Sequence, residues 1–135
     1  MKTSIIMAED IAVENISGQQ KVKIINPTID FKLPLIPSAF SFGIAIVISR
    51  SDFMAEHIAE LSIMDPADPD VPVQTIHNMK MPKGVPGLNI IASISFRNVA
   101  FMHPGEYIAK ATINGHVFEE SFFITDARSL GASEG

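Results

Sequence analysis

The sequence predicts an all-β protein, an antiparallel β-sandwich of seven or eight strands, and three observations point to it. Short apolar runs recur every 10 to 20 residues between Gly, Pro and Asp, a spacing typical of sandwich strands. Several runs alternate apolar with polar residues, which is the period of a half-buried strand. The segment from Phe101 to Thr125 contains a Pro-Gly turn, an Asn-Gly turn and two alternating runs, and together these predict a β-hairpin.

The N-terminal third supplies three short predicted strands, at Thr3–Met7, Lys21–Ile25 and Ile29–Leu33. The last of these follows Asn26-Pro27, where the proline has no N–H for a ladder hydrogen bond, so a kink or bulge is expected there. Ala8–Ile16 fits either a helical turn or the end of a strand.

Three further strands are predicted from their patterns of apolar residues. Phe42–Ile48 is apolar on both faces, which predicts a buried central strand. Leu88–Arg97 has one apolar face and one mostly polar face, as expected for a half-buried strand. Val71–Ile76 is bracketed by prolines, which favours the edge of a sheet.

The stretch Ser51–Ile63 fits two structures. As a helix it places Met54, Ile58 and Leu61 at helical spacing, with a possible cap at its start. As a loop followed by a strand it turns alternate residues from Ala59 onward inward. We favour a strand from about His57, because Asp65-Pro66 then closes it.

The hairpin can be counted outward from its turn. Asn114 and Gly115 suit the two positive-φ positions of a type I′ turn. Ile113 then lies opposite His116, and the inward-facing cross-strand pairs are Ala111 with Phe118 and Tyr107 with Phe122. A slip of one residue would turn every side chain to the other face, so the pattern fixes the register.

The outer face of the hairpin carries an apolar pair beside charged residues. Ile108 and Phe123 lie diagonally across this face, near Glu106 and near Lys110 opposite Glu119. An apolar centre with a charged rim is typical of a protein–protein contact. We therefore predict Ile108 and Phe123 as interface residues of a homodimer or larger closed oligomer.

One residue of the hairpin contradicts this pattern. Glu120 falls on the apolar side, opposite Ala109. Either a β-bulge turns it away from the core or it lies near the open end of the sheet.

Length and composition indicate one domain, 1–125, followed by a flexible tail at 126–135 that is small and polar. The chain has 135 residues, 47% of them hydrophobic, and no cysteine, so disulfides and thiol chemistry are excluded. The net charge of −5, with scattered basic residues, excludes the usual footprint of a nucleic-acid binder. No stretch predicts a signal peptide or a membrane span. We expect a soluble cytoplasmic protein with no cofactor and neither nucleic acid nor membrane as partner.

Tyr107 follows Gly105 by two residues, which resembles the tyrosine corner of immunoglobulin-like sandwiches. In that motif the ring packs inward and the hydroxyl bonds the backbone a few residues upstream. A catalytic acid is the alternative role. It is disfavoured because an unperturbed tyrosine has a pKa near 10 and no partner is evident.

Two groups of residues suggest metal sites, and both have simpler explanations. Asp65, Asp68 and Asp70 offer carboxylates to calcium, but the loop lacks the glycine and glutamate of an EF-hand. The histidines share no metal-binding spacing; they are His57, His77, His103 and His116. We expect a solvated acidic loop, exposed histidines and no metal. Motifs for a serine nucleophile, a P-loop or a dinucleotide site are absent from the sequence.

The order of these features is similar to that of an uncharacterised bacterial and phage family of small sandwich proteins. The matching residues are Glu9 after the first strand, Gly18, the break at Asn26-Pro27, Pro37 before the apolar strand, Asp65-Pro66, and Pro104-Gly105-Glu106-Tyr107 with Gly115. Ala67 departs from the glycine that often follows Asp-Pro in such proteins. The resemblance implies an immunoglobulin-like sandwich and no established activity.

Three functions are compatible with the sequence. The first is a non-catalytic interaction or structural module that self-associates and has a possible protein partner. Besides Ile108 and Phe123, it is suggested by apolar residues in loop-like regions, which are Phe53, Met54, Met79 and Met81. The second is a carrier of a small apolar ligand between the sheets, allowed by the apolar strand Phe42–Ile48. The third, an enzyme, lacks any recognisable set of nucleophile, base and orienting residue.

Overall fold

The computed structural model describes residues 2–17, 19–49, 57–81 and 90–128. Nearly all of them lie in strands, which are β1 (Lys2–Ile16), β2 (Gln19–Pro27), β3 (Asp30–Leu33), β4 (Ser38–Ser49), β5 (His57–Met64), β6 (Gln74–Met81), β7 (Ile90–Phe101), β8 (Gly105–Ile113) and β9 (His116–Asp126). The all-β prediction is confirmed. Within the described ranges no helix is long and apolar enough to cross a membrane.

The strands form two sheets. One has four strands in the order β2-β1-β4-β7, and the other has five in the order β3-β9-β8-β5-β6. The chain changes sheet between β2 and β3, β3 and β4, β4 and β5, β6 and β7, and β7 and β8. Every pairing is antiparallel except that of β3 with β9, which is parallel.

Aromatic rings fill the space between the sheets. Phe42 of the four-stranded sheet stacks on Phe96 at 5.5 Å between ring centroids and lies 5.7 Å from Phe122 of the other sheet. Phe101 meets the Tyr107 ring edge-on at 4.9 Å. Burial of rings of this size stabilises the sandwich strongly, since each removes about 150–250 Å² from water.

Strand β4 is covered on both faces, as its apolar sequence predicts. Its even-numbered residues from Phe42 to Ile48 enter the main core, while Ala45 on the other face is also fully buried. Strand β1 supplies the side chain that covers this second face. It pairs with β4 over Lys2–Ala8 and with β2 from Ala8 onward, and the side chain of Ile11 lies over Gly43. A small second core of Ala8, Ile11 and Ala45 results.

Several element predictions need correction. The described residues contain nine strands instead of seven or eight, because the segments before and after the break near Asn26-Pro27 are separate strands, β2 and β3, in different sheets. The predicted strand at Thr3–Met7 continues to Ile16 and forms a hairpin with β2. The parallel β3–β9 pair departs from a purely antiparallel sandwich, because the chain crosses to the second sheet at Thr28 and Ile29. Strand β6 begins at Gln74, later than Val71, and it is an edge strand as predicted.

The predictions for the region 51–63 and for the C-terminus can also be compared with the structure. A strand from His57 to Met64 is confirmed, whereas the loop before it, with Phe53 and Met54, lies outside the described residues. The predicted tail begins too early. Asp126 ends β9 and is 9% exposed, because Arg128 donates to its carboxylate at 2.8 Å and to the Ile36 carbonyl at 3.2 Å. These hydrogen bonds hold the pKa of Asp126 below its usual range.

Candidate interaction site

The hairpin of β8 and β9 has the register that the sequence predicts. Ile113 lies opposite His116, and pairing continues without interruption to Gly105 opposite Ile124. Asn114 and Gly115 have φ of 53° and 77°, the positive values that a type I′ turn requires. The outer and inner faces of the hairpin are therefore those expected.

An apolar patch lies on the outer face of the five-stranded sheet, and it consists of Met64, Ile108 and Phe123. Met64 lies beside Ile108 across the β5–β8 pairing, and Phe123 is 41% exposed. Met64 is not among the predicted interface residues. The alternation of β5 could have identified it, because Ala59, Leu61 and Ile63 point inward and Met64, the next residue, therefore points outward.

Charged and polar side chains surround this apolar patch. Glu106 lies opposite Phe123 on one side and Asp30 lies opposite it on the other. The Ser121 hydroxyl donates to Glu106 at 3.0 Å. Lys110 lies opposite Glu119 as predicted, although the ion pairs within the described ranges do not include these two residues. The patch thus has an apolar centre and a mainly acidic rim.

A gap opens between the sheets just before β3 begins. The chain leaves β2 at Thr28, whose N–H donates to the Met7 carbonyl at 3.0 Å, and β3 then pairs only with the last four residues of β9. This space has a volume of 540 Å³, and we call it the edge gap. It is lined by Ile5, Ile6, Met7, Pro27, Thr28, Ile29 and Glu120.

Glu120 has an unusual position in this gap. It pairs opposite Ala109 in an unbroken ladder, so the bulge alternative is wrong and the residue keeps its inward direction. It is exposed because β3 does not extend far enough to cover it. Within the described ranges, no hydrogen bond or ion pair joins the side-chain carboxylate of Glu120 to another residue. The result is a carboxylate at the mouth of an apolar space.

A polar cluster joins the acidic loop to the corner between β7 and β8. The Tyr107 hydroxyl donates to the His103 carbonyl at 2.8 Å. The His103 ring lies 3.0 Å from the Pro104 carbonyl through Nδ1 and 2.5 Å from Asp65 through Nε2. Hydrogen bonds to Pro104 and then Asp65 raise the pKa of His103, because the protonated ring can donate to both oxygens.

The same cluster bears on the candidate catalytic and calcium-binding residues. Burial, and then the charge of Asp65, raise the pKa of Tyr107, which therefore holds its proton as a hydrogen-bond donor. Asp65 also accepts the N–H of Ala67 at 2.9 Å, so both its oxygens are engaged within the protein. Asp68 and Asp70 remain exposed on the loop.

The three histidines whose side chains the structure describes are not brought together. His77 lies 3.0 Å from Glu60 on the five-stranded sheet, His103 binds Asp65, and His116 is exposed beside the hairpin turn. The side chain of His57 lies outside the described residues. Over the ranges that the structure describes, no group of three His, Cys, Asp or Glu side chains could hold a metal ion.

Comparisons with known proteins give no relative with a defined function. No family model and no curated protein matches the chain. Among solved structures, the alkylpurine DNA glycosylase AlkC of Pseudomonas fluorescens, bound to DNA containing an abasic site analogue, is similar over 71% of this chain and 27% of that chain, with 8% identity and a TM-score of 0.47. A mutant β-glucosidase of Listeria innocua in complex with laminaribiose is similar over 91% of this chain and 16% of that chain, with 10% identity and a TM-score of 0.46.

A second β-glucosidase structure from Listeria innocua, in complex with isofagomine, gives 9% identity, 92% of this chain, 16% of that chain and a TM-score of 0.44. The chain thus spans less than a third of each of these proteins. At such identities and TM-scores the three similarities carry no argument about function.

Proposed function

We propose that the chain is an immunoglobulin-like β-sandwich that acts as a non-catalytic interaction module and self-associates. For the fold type, the support comes from topology. The pairs β4–β7 and β5–β8–β9 correspond to strands B–E and C–F–G of that architecture, with β1 in the place of strand A. The bond from Tyr107 to the backbone of His103, at the corner between the sheets, is the bond that defines a tyrosine corner.

For self-association, the observation that carries the proposal is the apolar patch. A phenylalanine ring that is 41% exposed, on a rigid strand beside Ile108 and Met64, leaves apolar area in water that a partner can cover. A twofold dimer buries the same patch on both copies. The acidic rim stays at the edge of such a contact, where solvent still screens it.

The test is the mass in solution of the wild type and of Phe123→Glu. We expect the wild type to exceed the 14.7 kDa of one chain, and the variant to fall to that mass. The matched control is Val117→Glu. Val117 is 52% exposed on the same face of β9, about 20 Å along the strand at the usual rise per residue. It lies outside the patch, so the control should retain the wild-type mass.

Circular dichroism separates loss of association from loss of folding. Both substitutions replace an exposed side chain, so each should change the free energy of unfolding by only about 0.5 kcal/mol. A wild-type mass of one chain at high concentration contradicts self-association. Unfolding by Phe123→Glu alone contradicts the assignment of its face.

A carrier of a small apolar ligand is the second candidate, favoured by the edge gap. Its 540 Å³ lies within the usual range of ligand pockets, about 300–1,000 Å³. Two features rank it lower. Rings in contact occupy the middle of the sandwich, and a purely apolar ligand in the gap would cover Glu120 without pairing it, which is unfavourable.

A further inference from the structure

We propose that the edge gap and the free edge of β9 bind an extended peptide from another protein, which adds a strand in line with β3 and offers Glu120 a basic side chain. This surface lies at the edge of the sandwich and adjoins the rim of the apolar patch at Ser121. Four observations support it, and they concern the backbone of β9, the side chains of the gap, charge, and the other possible occupants.

The first observation is the direction of the β9 backbone. Phe123 donates its N–H to the Ile29 carbonyl at 2.7 Å, so this residue turns its main-chain groups toward β3. Main-chain groups alternate along a strand, and Val117, Glu119 and Ser121 therefore turn theirs the same way. β3 pairs only from Phe123 onward. Within the described ranges, no strand pairs with these three residues on that side.

The second observation is that apolar side chains of the edge gap lie beside this unpaired edge. An ordinary sheet edge offers a partner only backbone groups. Here the side chains of Ile5, Met7 and Ile29 also line the edge gap beside the unpaired segment. A strand added to β9 would direct alternate side chains into that gap, just as Phe31 of β3, opposite Ile124, directs its side chain into the core. Main-chain pairing with pockets for alternate side chains is the general mode of strand addition.

The third observation is charge. Glu120 lines the gap, and its carboxylate has no partner among the described residues, so a lysine or arginine at an inward position of the peptide would form an ion pair with it. The apolar stem of such a side chain can lie along Met7 and Ile29 while its charged end reaches the carboxylate. The peptide best suited to the site therefore alternates apolar or basic inward residues with polar outward residues.

Charge also disfavours two occupants from the same protein. A second copy could pair with this edge across a twofold axis. In the registers that pair most of the edge, Glu119 of one copy would lie opposite Glu119 of the other, or Glu120 opposite Glu120. Like charges directly opposite are destabilising. The last seven residues of the chain, SLGASEG, contain no basic residue and one glutamate, so they do not match Glu120 either.

The experiment uses the full chain and the labelled peptide Val-Thr-Val-Thr-Lys-Thr-Val-Thr, with binding followed by fluorescence anisotropy. Replacing the peptide lysine by glutamate should weaken binding roughly 10- to 100-fold, the usual effect of losing a hydrogen bond between charged groups. The protein variant Glu120→Lys should reverse this preference. Equal binding of both peptides by both proteins would overturn the role of Glu120.

Backbone pairing is tested by a matched pair of variants. Glu119→Pro removes an N–H that faces the open edge and leaves the β8–β9 ladder intact, whereas Glu119→Ala keeps that N–H and loses the same charge. The proline variant should lose peptide binding and the alanine variant should retain it. Retention of wild-type affinity by a folded proline variant would overturn strand addition.

Amide hydrogen exchange in the wild type gives a readout that does not depend on the proline variant folding. In the free protein the amides of Val117, Glu119 and Ser121 should exchange fast, while those of Phe118 and Glu120, bonded to β8, are protected. Saturation with the lysine peptide should protect the first three. A peptide that binds but leaves them unprotected enters the gap by its side chain alone, and that outcome overturns strand addition. Absence of any binding to the lysine peptide at millimolar concentration also overturns the proposal.

Discussion

Gly115→Val isolates the backbone strain of the hairpin turn. Gly115 has φ of 77°, and a Cβ built on it would meet no atom within 4 Å. The substitution therefore creates no clash, and its cost comes from forcing a β-branched residue into positive φ. For a non-glycine residue in such a region this is about 1–3 kcal/mol.

Urea denaturation measures this cost directly. With a denaturant slope of about 2 kcal/mol per molar, 1–3 kcal/mol lowers the midpoint by roughly 0.5–1.5 M. Gly115→Asn is the matched control, because asparagine tolerates positive φ and should lose much less. A valine midpoint equal to that of the wild type would show that the residue does not occupy this conformation in solution. Equal losses for valine and asparagine would show that φ is not the cause.

Two other changes test the second core and the polar cluster. A Cβ at Gly43 would lie 2.7 Å from Cγ1 of Ile11, so Gly43→Ala should cost about 1–3 kcal/mol through overpacking, and urea denaturation should show a smaller cost in an Ile11→Ala background, which lacks that Cγ1. The pKa of His103 is raised in the folded state by its bonds to the Pro104 carbonyl and then to Asp65. These bonds of the protonated ring stabilise the fold fully below pH 6.5, the ordinary histidine value, and this stabilisation is lost as pH rises through the raised pKa. The stability difference between wild type and His103→Gln should therefore shrink toward alkaline pH, and a difference independent of pH would contradict the charged pair.

The final hairpin could be predicted from sequence because its determinants are local. A two-residue Asn-Gly turn fixes which residues face each other, and strict alternation then fixes the faces. The buried strand β4 could be predicted for a similar reason, since only burial on both sides allows apolar residues at every position from Phe42 to Ile48. What covers its second face could not be predicted, because nothing local to either segment records that Ile11 lies over Gly43.

Pairings between distant parts of the chain could not be predicted from the sequence. The parallel contact of β3 with β9 joins Asp30 to Phe123, and no periodicity within either segment records it. The pair of Asp65 with His103 spans two loops from different parts of the chain. Met64 beside Ile108 depends on β5 pairing with β8, which follows from the topology and not from either strand alone.

Glu120 shows how a misfit in a local pattern can mark a functional surface. The hairpin register required an inward-facing carboxylate, while the composition of that face required an apolar residue. A bulge would have resolved the conflict within β9, but the ladder opposite Ala109 is unbroken. The conflict is resolved instead by the absence of a neighbour, because β3 pairs only from Phe123 onward. Since a charge at that place adds nothing to the core beside Met7, its physical use is to select what completes the edge, which is why a basic strand is the partner that we expect there.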